Sequence, residues 1–193
     1  MKKAVFSKLS VVALAAGIAA PVLAEDMSYT YVQLSYADTE IVDRNLDIDG
    51  DGLGISGSFE LGEVAFLKAG YRTQDFGSRI DLDQWNIGVG AHFPIVENLD
   101  LVGSISYVDA QVDTRFGDVD DSGLGLGVGV RARLAEQFEL EGGINYVDLD
   151  DSGDETSFVF GGRYYLSQEL AFGAGFEVGS DVTTWLVSAR VEF

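Results

Sequence analysis

The sequence contains no cysteine, which excludes a disulfide framework and a thiolate metal site. It has only two prolines and a single histidine, His92. Basic residues are scarce: 12 Lys and Arg stand against 32 Asp and Glu, for a formal net charge of −20. That balance argues against nucleic acid as a partner, which needs a basic surface. Hydrophobic residues make up 47% of the 193-residue chain. Even so, no apolar run after the N-terminal region is long enough for a transmembrane helix.

The N-terminal region is the one place with a continuous apolar stretch. Lys2, Lys3 and Lys8 precede Leu9 to Ala20, Pro21 follows, and Val22-Leu23-Ala24 supplies a small-residue exit. Residues 1–24 therefore read as a secretory signal peptide, leaving residues 25–193 as the mature domain with Glu25 first. No cysteine stands at the junction, which argues against a lipoprotein. Loss of a leader with three lysines and no acid takes the net charge to −23.

What the mature chain has in abundance is alternation. Ten short segments show apolar residues at every second position, the signature of half-buried strands. They are Thr30 to Tyr36, Leu53 to Leu61, Ala65 to Arg72, Gln84 to Phe93, Leu99 to Val108, Gly123 to Leu134, Phe138 to Val147, Ser157 to Leu166, Leu170 to Gly179 and Thr184 to Phe193. Short connections at Gly62-Glu63, Pro94 to Asn98, Ala135 to Gln137 and Ser167 to Glu169 alternate with longer ones at Ala37 to Gly52, Thr73 to Asp83, Asp109 to Ser122 and Asp148 to Thr156. Gly179 to Thr183 is a short connection on the second side. This rhythm is that of a membrane barrel with tight turns at one end and larger loops at the other. The expectation is an all-β chain forming a single transmembrane antiparallel up-and-down β-barrel of ten strands. Eight is the alternative count, and Thr30 to Tyr36 is the weakest segment.

Alternation alone does not say which face meets lipid, since a soluble barrel has the same period with its apolar face inside. Three features turn the apolar face outward. The polar face is rich in glycine (Gly54, Gly70, Gly88, Gly90, Gly125, Gly127, Gly129, Gly161, Gly173 and Gly175 among others), which suits a narrow lumen. Aromatic residues collect at strand ends, with Tyr36, Tyr71, Trp85, Tyr107, Tyr146 and Trp185 on the loop side and Phe59, Phe93, Phe138, Tyr164 and Phe193 on the turn side. Two such rings match interfacial girdles. Finally, Trp185-x-Val187-x-Ala189-x-Val191-x-Phe193 resembles the C-terminal sorting strand of bacterial outer-membrane barrels, which implies the barrel-assembly machinery as a partner.

Lys68, Arg72, Arg131, Arg133, Arg163 and Arg190 share the glycine-rich face with Glu60, Asp100, Glu139, Glu141, Glu177 and Glu192. A turn centred on Glu136 sets Arg133 opposite Glu139 and Arg131 opposite Glu141, as cross-strand ion pairs. The expected lumen is plugged and salt-bridged, not an open pore. The alternative is a narrow channel for ions or small solutes.

No catalytic constellation stands out. His92 lies at the turn end, and no loop carries a histidine, so a His-based triad at the outer rim is impossible. His92 reads as a hydrogen-bonded lumen residue, and the chain as a non-enzyme, with an outer-membrane enzyme built on paired loop aspartates as the last alternative. The loops instead hold acid: 20 of the 32 carboxylates lie between strands on the loop side, with only Arg44, Arg79 and Arg115 among them. Asp47-Ile48-Asp49-Gly50-Asp51-Gly52 matches the first half of a calcium loop. The twelfth position, where a bidentate Glu belongs, is Ser58, so no EF-hand is present. Asp47, Asp49 and Asp51 remain a weak candidate site for Ca²⁺ or Mg²⁺; no other cofactor is expected. Divalent ions bridging these loops to lipopolysaccharide are the expected link to the membrane surface, with outer-membrane lipid around a monomeric barrel.

Ser28-Tyr29-Thr30-Tyr31-Val32, Asp49-Gly50-Asp51-Gly52-Leu53-Gly54, Gln84-Trp85-Asn86-Ile87-Gly88-Val89-Gly90 and Glu141-Gly142-Gly143-Ile144-Asn145-Tyr146 resemble stretches of a family of small proteobacterial outer-membrane β-barrels once proposed to yield a quorum-sensing signal. The likeness runs over most of the mature chain. It implies a secreted, porin-like barrel of a Gram-negative outer membrane with links to biofilm, motility or virulence, and it carries over no catalytic residue.

Overall fold

The computed structural model describes residues 27–43, 46–77, 80–115 and 117–193. The expected signal peptide, Arg44 and Arg79 lie outside these residues. Ten strands are present among them: β1 (Tyr31–Asp43), β2 (Leu46–Leu61), β3 (Ala65–Asp75), β4 (Ile80–Val96), β5 (Leu99–Thr114), β6 (Val119–Ala135), β7 (Phe138–Leu149), β8 (Gly153–Tyr165), β9 (Leu170–Val178) and β10 (Val182–Glu192). Each pairs antiparallel with its sequence neighbours, and β1 pairs with β10 to close the barrel. The fold is therefore the all-β, ten-stranded transmembrane barrel that the alternation implies, and the weakest segment is a full strand.

The faces fall as the sequence indicates. Leu34, Leu53, Ile87, Leu124, Val128, Phe158 and Val187 are exposed on the outer wall. Arg131, Arg163, Arg190, Glu139 and Glu177 are buried inside. Both aromatic rings are exposed on the outside, from Trp185 and Tyr71 at one level to Phe59 and Phe93 at the other. Each strand pairs with a neighbour on both sides around the closed sheet, the arrangement that a bilayer requires.

The strand lengths depart from expectation. A membrane crossing needs about 9–11 residues, yet β4 and β6 have 17 each and β2 and β5 have 16. The long loops expected at Ala37 to Gly52, Thr73 to Asp83, Asp109 to Ser122 and Asp148 to Thr156 are largely strand. The excess extends the wall on the order of 20 Å past the aromatic ring. This crown has its own interior: Phe76, Leu82, Ala110 and Val112 are buried together, with Ile41, Ile48 and Ile80 packed against them. The face that is polar at membrane depth thus becomes apolar above it, and burying it holds the hairpins upright. Gly50 faces Phe76 so closely that a Cβ there would overlap the ring. At the other end, the Pro94 to Asn98 turn is shorter than expected, because β4 runs to Val96 across a bulge between Pro94 and Val96.

Candidate functional site

The barrel interior is closed at two levels. The lower closure, at the turn end, is an ionic cluster on β6, β7, β8 and β10. Backbone register places Arg133 opposite Glu139 and Arg131 opposite Glu141, as the turn predicts. The side chains choose other partners. Arg131 grips Glu139 with two bonds, Nε to Oε1 at 2.9 Å and Nη2 to Oε2 at 3.1 Å. Arg163 bonds Glu139 as well, and donates to Glu141 at 2.7 Å. Arg133 reaches Glu139 at 3.4 Å and Arg131 reaches Glu192 at 3.3 Å. The curvature of the wall brings diagonal neighbours together, and arginine is long enough to use them. Glu139 is fully buried and serves three guanidinium groups. Tyr165 donates to Glu192 at 2.7 Å and lies under the Arg133 guanidinium at 4.1 Å. Arg190 donates to Gln33 at 3.0 Å and stacks over Tyr31 at 3.7 Å.

The segment ahead of β1 completes this closure. Tyr29 is buried, 3% exposed, inside the barrel mouth. Its hydroxyl donates to Asp100 at 2.8 Å. Its ring stacks on His92 at 3.9 Å and on Phe66 at 5.2 Å. Arg131 lies over the same ring at 4.7 Å and donates to the Ser28 carbonyl at 2.7 Å. The sequence reading gave Tyr29 no role, because a single aromatic ahead of the first strand carries no periodic signal. His92 is a buried lumen residue, as expected, but it is held differently. Its nitrogens sit 3.2 Å from Asp100 and 3.4 Å from Glu60, and neither has hydrogen-bond geometry. Stacking on Tyr29 holds the ring in place of the expected hydrogen bond.

The upper closure begins with Thr39, Thr184 and Gln74. The two threonine hydroxyls meet at 2.9 Å, and the Gln74 amide donates to Thr39 at 2.8 Å. Above them stands the apolar crown interior. Between the closures lies a cavity of about 130 Å³, lined by Lys68, Arg72, Gln84, Asn86, Arg163 and serine hydroxyls.

The acid candidates are on the crown's outer face. Asp49 and Asp51 are exposed on β2, opposite Glu40 and Asp38 of β1. Asp47 belongs to the same strand and its backbone pairs with Val42, while its side chain lies outside the described residues. The run that matches a calcium loop in sequence is thus extended strand and does not curl around a centre. Carboxylates also face one another at Asp75 and Asp81, Asp81 and Asp113, and Asp148 and Asp154. They form a collar just above the aromatic ring, and Tyr71 of that ring donates to Asp83 at 2.6 Å.

Comparison with solved structures places this architecture among bacterial barrels. The translocator domain of the autotransporter NalP from Neisseria meningitidis superposes with a TM-score of 0.52 at 11% identity, covering 89% of this chain and 91% of that one. Neisserial surface protein A gives 0.41 at 18% identity, over 88% and 100%. Ail, the attachment invasion locus protein of Yersinia pestis, gives 0.43 at 15% identity, over 85% and 97%. Comparison with curated proteins found no match. Residues 10–165 match the family described as outer membrane protein beta-barrel domain. With that match over most of its length, and with a closed barrel whose apolar face points outward, the chain belongs to the outer membrane protein beta-barrel family.

Proposed function

We propose that this protein is a non-conducting outer-membrane barrel that works through its crown at the cell surface, and not through its lumen. The observation that carries this reading is the double closure, ionic below at Glu139 and Tyr29 and apolar above at Phe76. A solute path would need both to open at once. The crown adds support, since its paired strands carry an acidic outer surface beyond the barrel, where binding surfaces on a scaffold are commonly placed.

The collar sits where lipid headgroups meet the barrel, above the girdle of Tyr36, Tyr71 and Trp185. Facing carboxylates repel one another unless cations intervene. We infer that Ca²⁺ or Mg²⁺ joins the collar, including Asp47, Asp49 and Asp51, to the phosphates of lipopolysaccharide. The barrel is taken as a monomer, delivered by its signal peptide and inserted by the assembly machinery through the strand that ends at Phe193. The resemblance noted above links this surface role to biofilm, motility, virulence or quorum-sensing phenotypes. Catalysis is not part of the proposal, because the lone histidine sits at the end opposite the crown.

Planar-bilayer recording tests the reading. Purified protein should insert without steady unitary currents. Large, reproducible steps from the unaltered protein would instead establish the channel reading, which the cavity between the two closures favours. A deletion strain screened for permeability, biofilm and motility should show surface phenotypes with unchanged small-solute uptake.

A further inference from the structure

The cavity between the closures is built with an excess of positive charge. Four charged side chains line it: Lys68, Arg72, Arg163 and Glu141. Arg163 and Glu141 pair at 2.7 Å, leaving Arg163 Nε and Glu141 Oε2 without hydrogen-bond partners. That leaves Lys68 and Arg72. Lys68 donates to the Ser104 hydroxyl at 2.9 Å, and among the described residues no carboxylate comes within ion-pair distance of it. Arg72 makes no ion pair or hydrogen bond with a described side chain either. Glu177 acts on it through space, its Oε1 accepting from Ser157 and its Oε2 having no hydrogen-bond partner. The rest of the lining mixes polar groups, Gln84, Asn86 and the hydroxyls of Ser56 and Ser188, with glycines and Val159.

Cations at membrane depth are costly unless something neutralises them. At the lower closure Arg131, Arg133 and Arg163 pair directly with glutamates, whereas Lys68 and Arg72 at the cavity touch none. A volume of about 130 Å³ has room for a small ion with a few waters, each of which takes about 30 Å³ in the liquid. Water alone would solvate both, but Glu177 acts on Arg72 only through space and Lys68 has no carboxylate at ion-pair distance, so part of the positive charge stays without a contact partner in a low-dielectric surrounding. We propose that the cavity is an occluded binding site for a small inorganic anion, held by Lys68 and Arg72 with the amides and hydroxyls around them. The ion is a component of the folded barrel, trapped between the ionic and apolar closures, and this holds whatever the crown binds.

Bromide is the probe. Protein refolded in detergent with sodium bromide is crystallised, and data are collected at the bromine absorption edge. An anomalous peak inside the cavity, in contact with Lys68 or Arg72, is the expected result. Lys68→Gln and Arg72→Gln should each weaken the peak, and the double variant should abolish it, while heat-modifiable migration on gels shows that the barrel still forms. For variants that do not fold, the unaltered protein supplies the reading: its melting temperature should be higher in chloride or bromide than in gluconate of equal ionic strength. A cavity filled only by ordered water after bromide refolding, or equal melting in halide and gluconate, overturns the proposal.

Discussion

Arg131 lies directly across from Glu141 in the strand register, yet its guanidinium takes both oxygens of Glu139. That diagonal choice makes Glu139 the hub of the lower closure. Glu139→Gln should therefore destabilise the barrel by about 3–5 kcal/mol, the range for breaking a buried ion pair by removing one partner. Glu141→Gln removes a carboxylate with one guanidinium partner and should cost less. Urea unfolding in detergent or liposomes, followed by tryptophan emission, reads both values. Equal midpoints for the two variants would contradict the hub assignment.

The Tyr29 seal makes a graded prediction. Tyr29→Phe keeps the stack on His92 and loses only the buried bond to the Asp100 carboxylate, a loss of about 1.5–3 kcal/mol. Tyr29→Ala removes the ring as well and opens the lower mouth. It should still pass no current, because the closure at Thr39, Gln74 and Phe76 is intact. Adding Phe76→Ala should produce flickering conductance. Bilayer recordings on the two single variants and the double variant separate the two closures. Current from Tyr29→Ala alone would mean that the upper one leaks.

Much of the architecture was legible because its cause is local. Period-two alternation marks each strand wherever one face meets lipid, and the charge-free face shows which way it points. The crown was hidden by composition. Aspartate and glycine read as loop, although the run Ile80-Asp81-Leu82-Asp83 alternates as strictly as any membrane strand. Its meaning is inverted, since the apolar members face inward once the wall leaves the bilayer. The ion-pair register could be read from one turn, but the diagonal exchange at Glu139 depends on barrel curvature and on Arg163, contributed by a different hairpin. Tyr29 acts through contacts with β4, β5 and β6, which no local pattern encodes.

Glycine in the lumen gives a steric prediction. A Cβ on Gly88 would overlap the Ile105 carbonyl and Ser106 across the β4–β5 pair, whereas one on Gly103, on the outward face with Leu101 and Ile105, meets nothing. Gly88→Ala should slow or prevent barrel closure, and Gly103→Ala should be nearly neutral. Folding into liposomes, scored by heat-modifiable migration, distinguishes them. Equal folding yields would show that the wall has slack at this level.

The collar supplies the last prediction. Asp38 faces Asp51, and Glu40 faces Asp49, across the exposed β1–β2 ribbon. Like charges directly opposite destabilise a sheet by roughly the 0.2–1 kcal/mol that opposite charges would add. Both pairs are exposed, so salt screens them. Asp51→Asn should then raise the melting temperature at low ionic strength, and the gain should shrink as sodium chloride is added. Calcium should stabilise the unaltered protein at concentrations where sodium of equal ionic strength does not, and Asp49→Asn with Asp51→Asn should reduce that difference. A calcium response matching that of sodium would mean that the collar senses only general screening, and would remove the support for cation bridges to lipopolysaccharide while leaving the closed barrel untouched.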